Sequence, residues 1–296
     1  MRYLQGLVFG ALSLSAATFA EAQSLPFDFS VNGRLAVGAT DRVPGANLFL
    51  FGDTSAQVSF GRFGLEIGVF GLADAQDTPH ETYAALYWDF AQGGRLSAGV
   101  PRPAYDSFAA STLEMHFPSL GVARTGITRS QATFGAMFAN FLPYGVRFEN
   151  ETDALRYAAS VHAVPNQNST IAGFGVAVPF GEINIEGAVE VSWGTSTEMA
   201  GKLRAHGRAG RVGGGLGLFL PGTVGRPDTV EVFASFEPFD RATISGVIQT
   251  PLNGSADPTA GLAARYAIRP DASVSLGVLT EAGANAAFNV FLDWRF

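Results

Sequence analysis

Apolar and polar residues alternate one by one along most of this chain, most regularly at its C-terminal end. Between Asn285 and Phe296, the residues Phe288, Val290, Leu292, Trp294 and Phe296 fall on one side. Asn289, Asp293 and Arg295 fall on the other, with Phe291 the single misfit. A period of two belongs to a β-strand, whose successive side chains point to opposite faces. The same pattern opens the chain, where Phe29, Val31, Leu35 and Val37 oppose Ser30, Asn32 and Arg34. It recurs where Ile183, Ile185, Val189 and Val191 oppose Asn184, Glu186, Glu190 and Ser192. Farther on, Ala242, Ile244 and Ile248 oppose Arg241, Thr243, Ser245 and Gln249. Charges at such regular spacing cannot all face a dry core.

Short turn signals separate these strands at 61–62, 92–94, 151–153, 180–182, 210, 238–241 and 269–271. Longer segments rich in Pro, Gly and Asn lie between them, among them 164–170, 220–228 and 251–258. Seven tight turns alternating with eight loops predict about sixteen strands, with both termini on the side of the tight turns. One connection breaks the rhythm: residues 102–142 separate the strands Arg95–Pro101 and Tyr144–Asn150. A loop of that length is usually functional. An ordered plug and an extra strand over Gln131–Phe141 are both compatible with its composition.

Composition decides what the alternation means. The chain is 47% hydrophobic but only 15% charged, with 36 glycines and 25 phenylalanines, so the apolar surface exceeds what a water-soluble domain of this size buries. After the N-terminal segment no stretch approaches the ~18 uninterrupted apolar residues of a membrane helix. Only helices and closed barrels satisfy every backbone hydrogen bond in lipid, which leaves an all-β, transmembrane antiparallel barrel with its apolar face outward and its polar face toward the lumen. The absence of cysteine excludes the small disulfide-stapled exported folds. Arg2, the apolar run Leu4–Phe19 and the small-residue pattern Ala20-Glu21-Ala22 read as a secretory leader over 1–22, cut after Ala22 and followed by one barrel domain over 23–296. The apolar run is short for a permanent anchor. Losing Arg2 and Glu21 leaves the net charge at -7, which argues against nucleic acid as a partner.

With these residues in view, the chain resembles the general diffusion porins of Gram-negative outer membranes, in particular the short alphaproteobacterial type. The resemblance rests on the leader, the alternating strands, the terminal Phe296 preceded by Phe-Leu-Asp-Trp-Arg, and the long loop beginning Gly-Val-Pro-Arg-Pro-Ala-Tyr-Asp after the fifth strand. It implies a homotrimer of sixteen-stranded barrels among outer-membrane lipid and lipopolysaccharide, passing small hydrophilic solutes and ions by passive diffusion. It also implies that Phe296 is the signal read by the barrel-assembly machinery and that the third loop, 102–142, narrows the lumen. By position, the loop acids Asp106 and Glu114 would face wall cations at Arg34, Arg62 and Arg95. The chain departs from the family pattern in having one lysine, Lys202, and only two acids in this loop, which implies a weaker transverse field. The residues themselves leave other roles open. Asp106 suits a turn-former accepting backbone amides. Arg95, Arg147, Arg156 and Arg295 suit pairs with neighbours such as Glu149 or Asp293.

Rival readings have thinner support. The four histidines, His80, His116, His162 and His206, stand in no motif that joins a nucleophile to a base, so an outer-membrane barrel enzyme is disfavoured. No metal-ligand spacing occurs, and calcium at Asp74 and Asp77 is not supported by spacing, so no cofactor is expected. A substrate-specific channel or a nonconducting barrel has nearly the same pattern, but the inward positions here are mostly small, polar or charged. Tyr83, Tyr87, Trp88, Trp193, Tyr266 and Trp294 are candidates for interfacial aromatic belts. The net charge favours cations, though only lumenal charges act across a Debye length of ~8 Å.

Overall fold

The computed structural model describes residues 27–42, 48–74, 77–91, 93–139, 141–165, 168–194, 196–223, 225–253, 257–281 and 285–296. The expected leader, and Gln92 in its turn, lie outside them. Sixteen strands follow in chain order: β1 Asp28–Thr40, β2 Leu48–Phe60, β3 Phe63–Asp74, β4 His80–Asp89, β5 Gly94–Val100, β6 Tyr144–Glu151, β7 Arg156–Val164 and β8 Ser169–Phe180. The second half holds β9 Ile183–Trp193, β10 Thr197–Ala209, β11 Val212–Leu220, β12 Thr229–Phe236, β13 Ala242–Pro251, β14 Thr259–Arg269, β15 Ala272–Glu281 and β16 Ala287–Arg295. Each pairs antiparallel with its sequence neighbours, and β1 pairs with β16 to close the barrel. The described tight turns fall where the turn residues predict them. Gly61, Gly181 and Gly210 take φ near +60°, the left-handed region that a tight hairpin requires.

The seam is made by both ends of the chain. The Gly33 amide donates to the Phe296 carbonyl at 2.8 Å, and the Phe296 amide donates back to the Gly33 carbonyl at 3.1 Å. Gly33 has φ +146°, and a Cβ there would collide with the Asp53 carbonyl on β2, so this close approach needs glycine. Closure leaves no strand edge with unpaired backbone groups.

The outer face is apolar as the alternation requires. On β9, Ile183, Ile185 and Val189 are exposed while Glu190 and Ser192 are buried inward. Trp88, Trp193 and Tyr266 also point outward. Tyr83 and Tyr87 do not join an outer belt: both are buried in the lumen, where their rings sit over Gly68 and Gly64 of β3. The misfit Phe291 belongs inside as well. It packs 6.2 Å from the ring of Phe49, in a buried cluster with Phe51, Phe70, Leu72, Tyr83 and Met137.

Met137 comes from the long loop between β5 and β6, which folds into the barrel. Residues Ala104–Ser107 and Pro118–Leu120 form single 3₁₀ turns, and three helices follow the chain: α1 Thr112–His116, α2 Gly121–Thr128 and α3 Gln131–Ala139. The extra strand over Gln131–Phe141 is therefore corrected to a helix. A barrel closed at sixteen strands offers no edge for another, so the segment must satisfy its backbone internally, which a helix does. Loop aromatics fill recesses left by small wall residues. Phe117 lies on Gly261 and Gly277, Phe108 lies on Gly175, and Tyr105 packs among Ala158, Ala177, Ala188 and Ala200. Leu113, Phe117 and Leu120 bury against Val247, Ala263 and Leu279, which face the lumen.

Val189 sits near the middle of β9 on the outer face, so Val189→Arg should destabilise the barrel in lipid by ~2–4 kcal/mol. Denaturant titration in phospholipid vesicles checks this.

Candidate functional site

The lumenal loop is held by wall carboxylates that receive its backbone amides. On β12, Glu231 is fully buried and accepts the Ser111 hydroxyl at 2.8 Å, the Thr112 amide at 2.8 Å and the Leu113 amide at 3.2 Å. Gln249 of β13 adds a fourth donor at 2.8 Å. The first amides of a helix have no partner within it, and a carboxylate placed there accepts them while opposing the helix dipole. On β9, Glu190 does the same for α3, accepting the Gln131 amide at 2.8 Å and the Ser130 hydroxyl. Four residues earlier on the same strand, Glu186 accepts the Ala109 amide at 2.7 Å. Ala109 has φ +46°, a conformation unfavourable for alanine, which this bond helps to hold. Wall cations meet the loop carbonyls: Lys202 donates to Thr128 at 2.8 Å, Arg147 to Arg102 at 3.0 Å and Arg156 to Ser107 at 3.0 Å.

The loop acids are turned into the loop itself. Asp106 accepts the Ser130 amide at 2.7 Å and the Thr133 hydroxyl, tying the first 3₁₀ turn to α3. Glu114 accepts the Thr128 hydroxyl and lies 3.9 Å from Arg129. Both carboxyls are buried. Burial pushes the Glu114 carboxyl above the usual range, against the pull of Arg129. His116 moves the other way, lowered to about 4 by burial, with the charge of Arg34 adding to it.

Of the expected wall cations, Arg34 stands inside the lumen, bound to Asp293 at 2.6 Å and 5.5 Å from the Phe51 ring. Arg95 lies 3.9 Å over the Tyr87 ring and pairs with Asp89 at 2.6 Å. Arg62 is exposed in the β2–β3 turn, away from the loop. Arg102, at the root of the loop, pairs with Asp53 of β2 at 2.6 Å. Phe296 is half exposed beside the seam. Asp74 accepts the Asp77 amide at 2.9 Å, and among the described residues no three His, Asp or Glu side chains converge as metal ligands. His206 pairs with Glu186 at 3.1 Å.

Alternation alone did not single out the wall anchors Glu186, Glu190 and Glu231, although it set the first two on the polar face. A usable signal lay in the loop: Ser111 and Glu114 have capping-box spacing, and the Ser111 hydroxyl accepts the Glu114 amide at 3.4 Å. The wall and loop do not fill the lumen everywhere. A polar cavity of about 170 Å³ remains beside β2–β6, lined by Gln57, Glu66, Ser97, Arg102, Arg147 and Glu149.

Glu231→Ala strands two helix amides and a hydroxyl in a buried site, so it should weaken loop docking by ~2–4 kcal/mol. Hydrogen exchange in detergent should show lost protection at Thr112 and Leu113, with the wall amides unchanged. His116 favours the docked loop only while neutral, so its contribution is complete above about pH 6.5 and is lost as pH falls toward about 4. The raised Glu114 carboxyl acts in the opposite sense. Proteolysis of the loop at Arg124 and Arg129 across this window should therefore depend less steeply on acid in His116→Gln than in the native chain.

No protein-family model matches the sequence, and no curated protein matches it. Solved structures do match. A triple mutant of the Rhodopseudomonas blastica porin is similar with a TM-score of 0.70 at 15% identity, covering 91% of this chain and 100% of that one. A double mutant of the same porin gives 0.71 at 16% identity, with the same coverage. At such identities the likeness establishes the fold, and this chain has the sixteen-stranded antiparallel barrel of a porin, with a helical loop folded into its lumen.

Proposed function

We propose that this chain is an outer-membrane porin that forms a water-filled channel for passive diffusion of small hydrophilic solutes and ions. The observation that carries this reading is the inverted barrel, with apolar side chains outside and charged ones inside around a folded loop. In this reading residues 1–22 are an export leader, Phe296 is the mark read by the barrel-assembly machinery, and three copies associate among outer-membrane lipid and lipopolysaccharide. Loop 102–142 forms the constriction, with Asp106 and Glu114 setting its shape and the Arg34–Asp293 and Arg95–Asp89 pairs on the facing wall. The loop meets both halves of the wall, from Glu231 on β12 to Asp53 on β2, so the passage is narrow and suits ions and small solutes best.

The test is conductance. The purified protein in a planar bilayer should give discrete ohmic steps in potassium chloride, and a bilayer that stays silent at high protein load overturns the reading.

A further inference from the structure

The cavity beside β2–β6 carries a charge imbalance that can be read residue by residue. Three guanidiniums stand in or beside it, and each holds its own carboxylate: Arg102 with Asp53 at 2.6 Å, Arg147 with Glu149 at 2.7 Å and Arg95 with Asp89 at 2.6 Å. Glu66, on the inward face of β3 three residues after its first residue Phe63, is half-buried and lines the cavity, and its carboxylate has no hydrogen bond or ion pair among the described residues. It is framed by two glycines, Gly64 and Gly68, over which the rings of Tyr87 and Tyr83 are laid. Those rings are covered on their lumenal side by Arg95 at 3.9 Å and Arg102 at 5.6 Å. The side chain opposite, Gln57, has its amide oxygen occupied by Arg95 at 3.1 Å. Each of these three guanidiniums is thus matched, and the Glu66 carboxylate is left over.

We propose that this cavity is a subsite for a monovalent cation, held by the Glu66 carboxylate, and that Glu66 determines the ion preference of the channel. The inference rests on the channel reading above and names the solute class it favours. An unpaired carboxylate inside a low-dielectric wall attracts cations to its position and repels anions from it. Asp106 and Glu114 cannot act this way, because their oxygens are turned to loop amides and hydroxyls. Charge-balanced carboxyl–guanidinium pairs leave little net field at the distances of a hydrated ion. The small volume of about 170 Å³ and the single free carboxylate suit a small monovalent inorganic or ammonium cation.

Single-channel recordings across a potassium chloride gradient test this. The native chain should be cation-preferring, and Glu66→Gln should lower the ratio of potassium to chloride permeability at least two-fold, consistent with one charge acting within ~5 Å of the ion path. Glu66→Lys should lower it further. Glu182→Gln removes the same charge at the exposed β8–β9 turn and should leave the ratio unchanged. Steps of normal size with an unchanged reversal potential in both Glu66 variants overturn the subsite while leaving the channel standing. An equal shift in Glu182→Gln also overturns it, because net charge alone would then set the preference. Absence of steps in the native chain overturns the channel reading and this inference with it.

Discussion

Closure of the sheet is the constraint on which everything else in this protein depends. In hydrocarbon an unpaired backbone amide or carbonyl has nothing to replace water, so a sheet is viable only when its last strand meets its first. Here the seam is the pairing of β1 with β16, finished by the Gly33–Phe296 exchange at its end. Once the ring is complete, each strand has one greasy and one wet side, and the wet sides are forced together around a common interior. A chain segment placed there finds no free strand edge to join. It must fold on itself or bind side chains, and the long loop does both.

The interior is consequently less uniform than the label of a wet lumen suggests. Where the loop touches the wall it builds small dry cores, with Phe117 set over Gly261 and Gly277 and Phe291 meeting Phe49. Where it does not, charged side chains line water-accessible space. Inward positions beneath the loop are thus apolar recesses for its aromatics or charged groups that bond its backbone, and those beside it form ionic pairs with one another.

That division explains what could be read from the sequence and what could not. The barrel was legible because lipid imposes a two-residue period on every strand, and the turns were legible because glycine, asparagine and aspartate have specific backbone roles. Phe291, Tyr83 and Tyr87 defied the period for a reason that lies elsewhere in the chain: each contacts a loop residue or an arginine brought near only by folding. The helices of the loop were hidden because they are short, and their stability comes from Glu190 and Glu231, which lie far away in sequence. The resemblance gave the loop's place but not the orientation of its acids. Asp106 and Glu114 bond within the loop, and the roles of the wall charges emerge only from their distances.

The mooring of the loop by Glu186, Glu190 and Glu231 has one more consequence. What these carboxylates grip at residues 109, 112, 113 and 131 is main-chain N–H, which every amino acid except proline supplies. This part of the instruction for holding the plug in place is therefore written in the wall. A substitution at those positions leaves this grip intact unless it brings in proline, although Leu113 is fixed a second time by its packing against Val247, Ala263 and Leu279.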